Sequence, residues 1–283
     1  MAIFTNQATL IFNGQSTSSN VTTGEILTGL TLTKTAITDT YARDGRVSYI
    51  VTISNAGGAV TDAILTDTLG AYPVGATTVY PLTYVDGSLL YYQDGALAAG
   101  ATAAGGPPLV ISGIDIPAGG NVQLIYEAAT NEYTPFALGS TVVNTATLSG
   151  GGIAEPLTDT ETVGARDDVA LTIAKAICPA VVSDDGTLTY TFIIQNAGNT
   201  AVIATDNLVV QDTFNPILNP ITVTLDGTAL TEVTDYTYNA ATGEFATLPG
   251  VITVPAATYT QDPTTGVFSV TPGVAVLTVT GTV

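Results

Sequence analysis

The chain has 283 residues, and its 5 basic residues against 24 acidic ones give a formal net charge of −19. This charge repels a phosphate backbone and argues against a nucleic-acid partner. The sequence contains no histidine and one cysteine, which excludes His-based triads, Cys/His zinc sites and intrachain disulfides, and it predicts no metal and no cofactor. Charged residues make up only 10% and hydrophobic residues 46%, a balance that favours contact with copies of the same chain.

The amino end carries no recognisable secretory signal, because the first basic residue is Lys34 and residues 1–10 alternate instead of forming an apolar run. No stretch approaches the roughly 20 apolar residues that cross a membrane. We therefore expect no membrane span, and either retention inside the cell or export by a non-secretory route.

The predicted secondary structure is almost entirely β-strand. From the amino end, residues 4–12 alternate in polarity, and the residues that share one face are Phe4, Asn6, Ala8, Leu10 and Phe12. Similar short runs rich in Thr, Val, Ile and Tyr follow along the chain, bounded by Gly, Pro and Asn-Ala-Gly turns. This pattern is typical of an all-β protein built from antiparallel sandwiches.

The chain contains an internal repeat. Lys34 matches Lys175 at an offset of 141 positions, and Asp67-Thr-Leu matches Asp212-Thr-Phe at an offset of 145. Two copies of about 141 residues each account for nearly the whole chain of 283 residues. The sequence therefore predicts two homologous β-domains.

The second copy lacks a counterpart for one strand of the first. The first copy continues after residues 123–131 to a strand at 142–148, for which the second copy has no match. Residues 6–10 resemble 144–148 at an offset of 138, so we expect the amino end to supply such a strand. The predicted organisation is a donor strand with its connector at 1–24, a first domain at 25–163, and a second, incomplete domain that accepts a strand at 164–283.

Each copy places a lysine, an aspartate and an asparagine on apolar strand faces, where uncompensated charge is costly. Alternation puts Lys34 on the same face as Leu30 and Leu32, and the same test applies to the other five. The two sets are Lys34, Asp67 and Asn144 for the first copy, and Lys175, Asp212 and Asn6 for the second.

Three such residues can form an isopeptide bond. Burial lowers the pKa of a lysine and raises that of an aspartate, so a neutral amine can attack the carboxamide carbon. The acid polarises the carbonyl and carries the proton, and ammonia leaves. The residues fit equally well a buried lysine–aspartate ion pair with the asparagine as a hydrogen-bond partner. Glu127 is a rival acid in the first copy, but Asp67 has a match in the second copy and Glu127 has none.

The repeated motif resembles a known bacterial surface repeat, domain-of-unknown-function family eleven. The resemblance covers roughly residues 26–163 and 165–283. It rests on the motifs Lys34-Thr-Ala, Gly45-x-Val-x-Tyr-x-Val, Asn55-Ala-Gly, Thr66-Asp-Thr-Leu and Asn144-Thr-Ala-Thr. The resemblance implies immunoglobulin-like sandwiches in tandem. The strand-first layout also resembles major appendage proteins of spore-forming anaerobes.

The same resemblance implies the Lys–Asn crosslink familiar from Gram-positive pilins and adhesins, with an aspartate or glutamate assisting. Carried over, Lys34, Asp67 and Asn144 are the first triad, with Lys34–Asn144 as an intrachain bond. Lys175 and Asp212 are two thirds of a second triad. The departure from the family is the missing third member at the carboxyl end.

The sequence thus predicts a structural subunit of an extracellular or spore-surface filament, and not an enzyme that acts on an external substrate. The donor strand Phe4–Phe12 of one copy would fill the open edge of the next copy's second domain. Asn6 would then face Lys175 and Asp212 and form a bond between subunits. The partner is therefore a second copy, with an anchoring protein at the fibre base as a further candidate. The alternative is an adhesin, a carbohydrate- or protein-binding surface module.

Overall fold

The computed structural model of the chain describes residues 2–26 and 29–283. Met1, Leu27 and Thr28, which the predicted segments 1–24 and 25–163 include, lie outside the described residues. A single 3-10 turn, Ala204–Asp206, is the helical structure within these ranges. The strands up to Ala165 are β1 (Ala2–Asn6), β2 (Thr9–Phe12), β3 (Gln15–Ser18), β4 (Thr22–Ile26), β5 (Leu30–Ala36), β6 (Thr40–Tyr41), β7 (Arg46–Asn55), β8 (Val60–Asp67), β9 (Tyr72–Val74), β10 (Thr77–Val79), β11 (Leu82–Tyr84), β12 (Leu90–Gln93), β13 (Ala96–Leu97), β14 (Thr102–Ala104), β15 (Leu109–Ile116), β16 (Asn121–Thr130), β17 (Thr141–Gly150) and β18 (Leu157–Ala165). The later strands are β19 (Leu171–Cys178), β20 (Thr187–Asn196), β21 (Gln211–Thr213), β22 (Ile221–Leu225), β23 (Thr228–Ala229), β24 (Tyr236–Asn239), β25 (Glu244–Thr247), β26 (Thr258–Gln261), β27 (Phe268–Thr271) and β28 (Gly273–Thr282).

The amino-terminal residues form a β-hairpin. β1 pairs antiparallel with β4, and β2 pairs antiparallel with β3. At the tip, Asn13 and Gly14 have φ angles of 49° and 81°, the left-handed values that a two-residue type I′ turn requires. The predicted connector, which ends at residue 24, is therefore largely strand, because β3 and the start of β4 lie within it. The Thr- and Ser-rich segment pairs with the alternating run before it once the Asn-Gly turn reverses the chain.

The chain divides into two compact units. The first contains the residues up to Pro135, together with Gly139–Ala165 and Pro263–Val267. The second contains Phe136–Leu138, Arg166–Asp262 and Phe268–Val283.

The first unit is a β-sandwich. One sheet has the strand order β13-β12-β16-β7-β5, with β11 also pairing β16, and the other has the order β14-β15-β8-β17-β18-β6. Because each strand alternates, most side chains on the facing sides of the two sheets are apolar and buried. Members of this core include Val47, Val51, Leu65, Leu124 and Leu148.

The second unit repeats the first sheet but has a shorter second sheet. The order β19-β20-β28-β22-β23 forms a five-stranded sheet, and β21-β25-β24 forms a three-stranded one. In the first unit β8 lies between β15 and β17, whereas its counterpart β21 pairs with β25 alone among the described residues. One edge of β21 is therefore without a strand partner in this part of the chain. The core includes Leu188, Phe192, Phe214, Phe245 and Leu277.

The prediction of an all-β protein with two tandem immunoglobulin-like sandwiches is confirmed. Throughout residues 2–26 and 29–283, no helix has the length and apolar character to cross a membrane.

Candidate functional site

Three of the predicted residues meet in the core of the first sandwich. Lys34 lies on β5 in one sheet, whereas Asp67 and Asn144 lie on β8 and β17, which are neighbours in the opposite sheet. Their relative exposures are 2%, 0% and 0%. Strand alternation directs all three inward, as the sequence predicts, so the lysine reaches across the sandwich toward the other two.

Asp67 is held by three donors. Its Oδ2 accepts hydrogen bonds from Lys34 Nζ and from the hydroxyl of Tyr126, and its Oδ1 accepts one from the backbone N–H of Leu69 at 2.8 Å. A buried carboxylate needs such donors, because it has lost its hydration. The carboxyl group therefore stands in direct contact with the amine and can exchange a proton with it.

Asn144 is bonded on one side only. Its Oδ1 accepts hydrogen bonds from the backbone N–H of Gly70 at 3.1 Å and from Thr68 Oγ1 at 3.2 Å. Its Nδ2 is buried and makes no hydrogen bond to any described residue. Unpaired buried donors are rare and costly, so this one calls for an explanation. The arrangement polarises the carbonyl and leaves the amide nitrogen unrestrained.

Tyr49 links the lysine to the asparagine. Its ring centroid lies 4.5 Å from Lys34 Nζ. Burial raises the pKa of the Tyr49 hydroxyl, and the adjacent Asn144 amide opposes that shift, although neither group makes a hydrogen bond of normal geometry to the other. The amine and the carboxamide therefore share one aromatic wall.

Burial also lowers the pKa of Lys34 below its ordinary value. The charges of Asp67, Glu161 and Asp159 act in the opposite direction without cancelling the effect of burial. Since only a neutral amine is nucleophilic, this environment suits attack on a carbonyl carbon.

Glu127, the rival acid, lies elsewhere. It forms an ion pair with Arg46 at 2.8 Å, and the side chains of Arg46 and Glu127 are 61% and 39% exposed. Its neighbour Tyr126 faces the core, so alternation turns Glu127 to the outside of the sheet. The structure thus brings Asp67, and not Glu127, to the lysine.

The second site has the same pair in an open setting. Lys175 Nζ donates to Asp212 Oδ2, but the two side chains are 40% and 19% exposed. The amine lies over the rings of Tyr190, Phe192 and Phe214, with the nearest centroid 4.3 Å away. The structure therefore brings together two of the three predicted residues.

Asn6, the third, lies in the amino-terminal hairpin. It pairs with Thr22, and its backbone carbonyl accepts a hydrogen bond from Thr22 Oγ1 at 3.1 Å. No hydrogen bond among the described residues joins Asn6 to Lys175 or Asp212. The other residues of the predicted donor strand are exposed, namely Phe4, Ala8, Leu10 and Phe12.

Two clefts flank β21 in the second unit. One, of about 320 Å³, lies between β19 and β21 and is called the β19–β21 cleft below. Its lining is Leu171, Thr172, Ile173, Ile194, Leu208, Val209, Val210 and Gln211. The other, of about 570 Å³, is lined in part by Asp212, Thr213 and Phe245. Asp212 therefore adjoins the second of these clefts, whereas the first has a largely apolar lining that ends at its neighbours Val210 and Gln211.

Four residues that contribute to the first site were not identified from the sequence. The Tyr49 ring lies against the lysine amine, and the Tyr126 hydroxyl donates to Asp67. Thr68 and Gly70 donate hydrogen bonds to the oxygen of the Asn144 amide. A signal existed for Thr68, since the Asp-Thr dipeptide recurs as Asp212-Thr. Tyr126 has no such signal. Tyr49 lies opposite Tyr126, whereas its counterpart Tyr190 lies opposite Val279, so the second site lacks this hydroxyl.

A carbohydrate-binding surface would need exposed aromatic rings, but Tyr91 and Tyr236 are only 4% and 5% exposed. Tyr91 donates its hydroxyl to the Asp115 carbonyl at 2.6 Å, as expected for packing in a sandwich. These residues give no support to the adhesin alternative.

The chain is similar in structure to bacterial pilins. It aligns over 57% of its length with 62% of domains D2 and D3 of the major pilin SpaD from Corynebacterium diphtheriae, at 11% identity and a TM-score of 0.35. It aligns over 95% with 73% of BcpA, the major pilin subunit of Bacillus cereus, at 13% identity and a TM-score of 0.38. It also aligns over 78% of its length with 79% of a 35 kDa C-terminal fragment of the major pilin GBS80 of Streptococcus agalactiae, at 12% identity and a TM-score of 0.37.

At this identity and TM-score, these likenesses assign no function to the chain. No protein-family model and no curated protein matches it, so the resemblance to family eleven stays a prediction.

Proposed function

We propose that this chain is a structural subunit of a filament at the cell or spore surface, crosslinked by autocatalytic Lys–Asn isopeptide bonds. The observation that carries the proposal is the buried cluster of Lys34, Asp67 and Asn144, in which the asparagine amide nitrogen has no hydrogen-bond partner among the described residues. A plain ion pair explains the first two residues but not an unsatisfied amide nitrogen beside them. No external substrate is involved, and the partner is a second copy.

The intrachain reaction balances with the groups present. Lys34 Nζ passes one proton to Asp67 and attacks Asn144 Cγ, which places negative charge on Oδ1. The Gly70 N–H and the Thr68 hydroxyl, already bonded to Oδ1, stabilise that charge. Asp67 relays a second proton from Nζ to Nδ2, and the Cγ–Nδ2 bond breaks as ammonia leaves. The Nζ–Cγ bond remains, and Asp67 ends neutral with one proton.

The intact mass of the purified protein tests this bond. We expect a deficit of one ammonia and a linked Lys34–Asn144 peptide pair after trypsin digestion. Asn144→Ala and Asp67→Ala should show no deficit, and Lys175→Ala, the matched control in the other unit, should retain it. Unlinked peptides with the full mass in the wild-type monomer would contradict the proposal.

Assembly uses the unpaired edge of β21. Residues 4–12 of one copy enter the second sandwich of the next, and Asn6 takes the place that Asn144 has in the first. A contact of this head-to-tail kind repeats without closing and gives an open fibre. Asp212 then promotes a Lys175–Asn6 bond by the same exchange of an amine for ammonia. The anchoring protein at the fibre base belongs to this proposal as a prediction.

Electron microscopy and denaturing gels test the assembly. Wild-type fibres should survive boiling in detergent and reductant as a covalent ladder, whereas Asn6→Ala fibres should dissociate to single subunits. Gln7→Ala, one position along, is the matched control and should keep the ladder. Deletion of residues 1–12 should abolish fibres. Fibres from that deletion would contradict the donor assignment, and wild-type fibres that boil to monomers would contradict the covalent junction.

A further inference from the structure

The amino-terminal hairpin pairs its two strands as a hairpin in the first sandwich does, apart from a shift of one residue between β2–β3 and β1–β4. There, β17 and β18 pair so that Leu148 lies opposite Leu157. At the offset of 138 that relates the two segments, Leu10 lies opposite Thr17. The structure therefore supplies a counterpart for β18 as well as for β17, and both belong to residues 2–26.

Resting on the proposed filament, we infer that the donor is the whole hairpin of residues 2–26 from a second copy, and not a single strand. Residues 8–12, which include β2, pair with the free edge of β21 and the residues before it, β1 continues beyond that edge, and β3 and β4 cover β19. The hairpin docks as it stands, without separation of its two strands.

The first strand of the hairpin fits the acceptor by register. In the first sandwich Leu148 lies opposite Leu65 on β8 and is fully buried. The repeat makes Val210 the counterpart of Leu65, so Leu10 comes to lie opposite Val210. Val210 lines the β19–β21 cleft, and Leu10 is 66% exposed in the free hairpin. Docking thus fills an apolar cleft with an apolar side chain that is otherwise in water.

The second strand is needed to cover β19. In the first sandwich β18 packs against β5, and the Asp159 carboxylate accepts the Lys34 backbone N–H at 2.6 Å. Every side chain of β19, the counterpart of β5, is exposed, including Ile173 at 58%. A single strand on β21 would leave this face in water. In the hairpin Ser19, whose N–H donates to the Ala8 carbonyl at 2.8 Å, holds the position of Asp159.

The inward face of the hairpin is also packed as a pair of strands. In the first sandwich Val142 lies opposite Val163, whereas in the hairpin Phe4 lies opposite Gly24. The Phe4 ring covers Gly24, where an added Cβ would lie 2.4 Å from a ring atom. A phenylalanine opposite a glycine in the hairpin thus takes the place of two valines in the first sandwich. The two strands have complementary volumes, which a donor that detached from its partner would not require.

A disulfide across the hairpin tests the inference in the full-length chain. Ile11 and Ser16 are paired, and Ile11 matches Ser149, which lies off the inward face. We would introduce Ile11→Cys and Ser16→Cys in a Cys178→Ser background, since Cys178 is free and exposed. Non-hydrogen-bonded antiparallel pairs bring Cα atoms to about 4.5 Å, which a disulfide can span. Thr9→Cys with Ser18→Cys gives a second locked variant at another register position.

The oxidised, locked proteins should form fibres and a boiling-resistant ladder at the rate of their reduced forms. Failure of both oxidised variants, with recovery on reduction, would show that the strands must part and would overturn the inference. If one cysteine pair prevents fibre formation in both the oxidised and the reduced protein, the other cysteine pair tests the inference. A Cys178→Ser protein that stays monomeric would overturn the proposed filament and the inference with it. Loss of fibres in the oxidised forms alone would contradict only the inference that the hairpin docks as a unit.

Discussion

The two lysine sites contain the same core and differ in what surrounds it. In each, a lysine meets an aspartate across the sandwich and lies over a tyrosine ring, at 4.5 Å for Lys34 and 4.3 Å for Lys175. The side chain of Lys34 is fully buried, whereas that of Lys175 is 40% exposed. The pair and the ring come from strands that both copies have. Burial and the carboxamide come from β17 and β18, so these two strands determine whether the site is complete.

The largest expected difference between the sites concerns loss of the aspartate. In an Asn144→Ala background, which cannot form the proposed crosslink, Asp67→Ala leaves a buried lysine without its partner. It should lower the stability of the first sandwich by about 3–5 kcal/mol. Asp212→Ala opens a partly exposed pair and should cost the second sandwich no more than about 1 kcal/mol. Hydrogen exchange of peptides from β7 and β20 measures the two separately. Equal losses would mean that burial is not what distinguishes the sites.

A smaller effect is expected from the hydroxyl that only the first site has. Tyr126→Phe removes a donor to the Asp67 carboxylate and should cost about 1.5–3 kcal/mol in the uncrosslinked background. Tyr190→Phe is the matched control, because its hydroxyl makes only a long contact of 3.4 Å to the Asn215 carbonyl. It should change stability by less than about 0.5 kcal/mol. Urea denaturation checks both, and a larger cost for Tyr190→Phe would contradict this assignment.

The smallest effect is a pH dependence confined to the first sandwich. Burial lowers the folded-state pKa of Lys34 below 10.5, so between these values the unfolded chain binds more protons. Stability of the Asn144→Ala protein should therefore rise with pH, by at most about 1.4 kcal/mol per pH unit. Burial raises the pKa of Tyr49 and Tyr126, which opposes this trend above about pH 10.

Denaturation between neutral pH and about pH 9.5 isolates the lysine from the tyrosines. The matched control is Lys34→Met in the same background, which should flatten the slope. A slope that survives in Lys34→Met would assign the effect to another group.

The sequence carries the strands, the repeat and the inward direction of the two lysines, because period-two alternation marks each of them. Alternation also predicts that Asp67 and Asn144 face Lys34, and the structure places all three in one core. It does not predict the donors to the amide oxygen. Gly70 contributes a backbone N–H from a turn with a φ of 74°, and a Cβ added there would lie 2.5 Å from Val142. The positive φ and the close approach of Val142 both arise only once the turn has folded, so the sequence pattern does not reveal them.

The hairpin was missed for a different reason. Thr22–Ile26 lacks a clear alternation of apolar and polar residues, so composition alone favours a connector. The Asn13-Gly14 turn is a recognised hairpin signal, and given due weight it predicts the reversal. What no pattern supplies is the one-residue shift between the Thr9–Ser18 and Asn6–Thr22 pairings, in which the single residue Gln7 faces both Asn20 and Val21.

The proposed bonds at both lysines would have a consequence for how the proposed fibres behave as colloids. Lys34 and Lys175 are the only lysines, so two such bonds per subunit would convert every lysine side-chain amine to an uncharged amide. Three arginines then remain against 24 acidic residues. Such fibres repel one another over a Debye length, about 10 Å at 0.1 M salt, and stay dispersed at low ionic strength. Divalent cations, which bridge carboxylates, should gather them into bundles, and chelators should release them again.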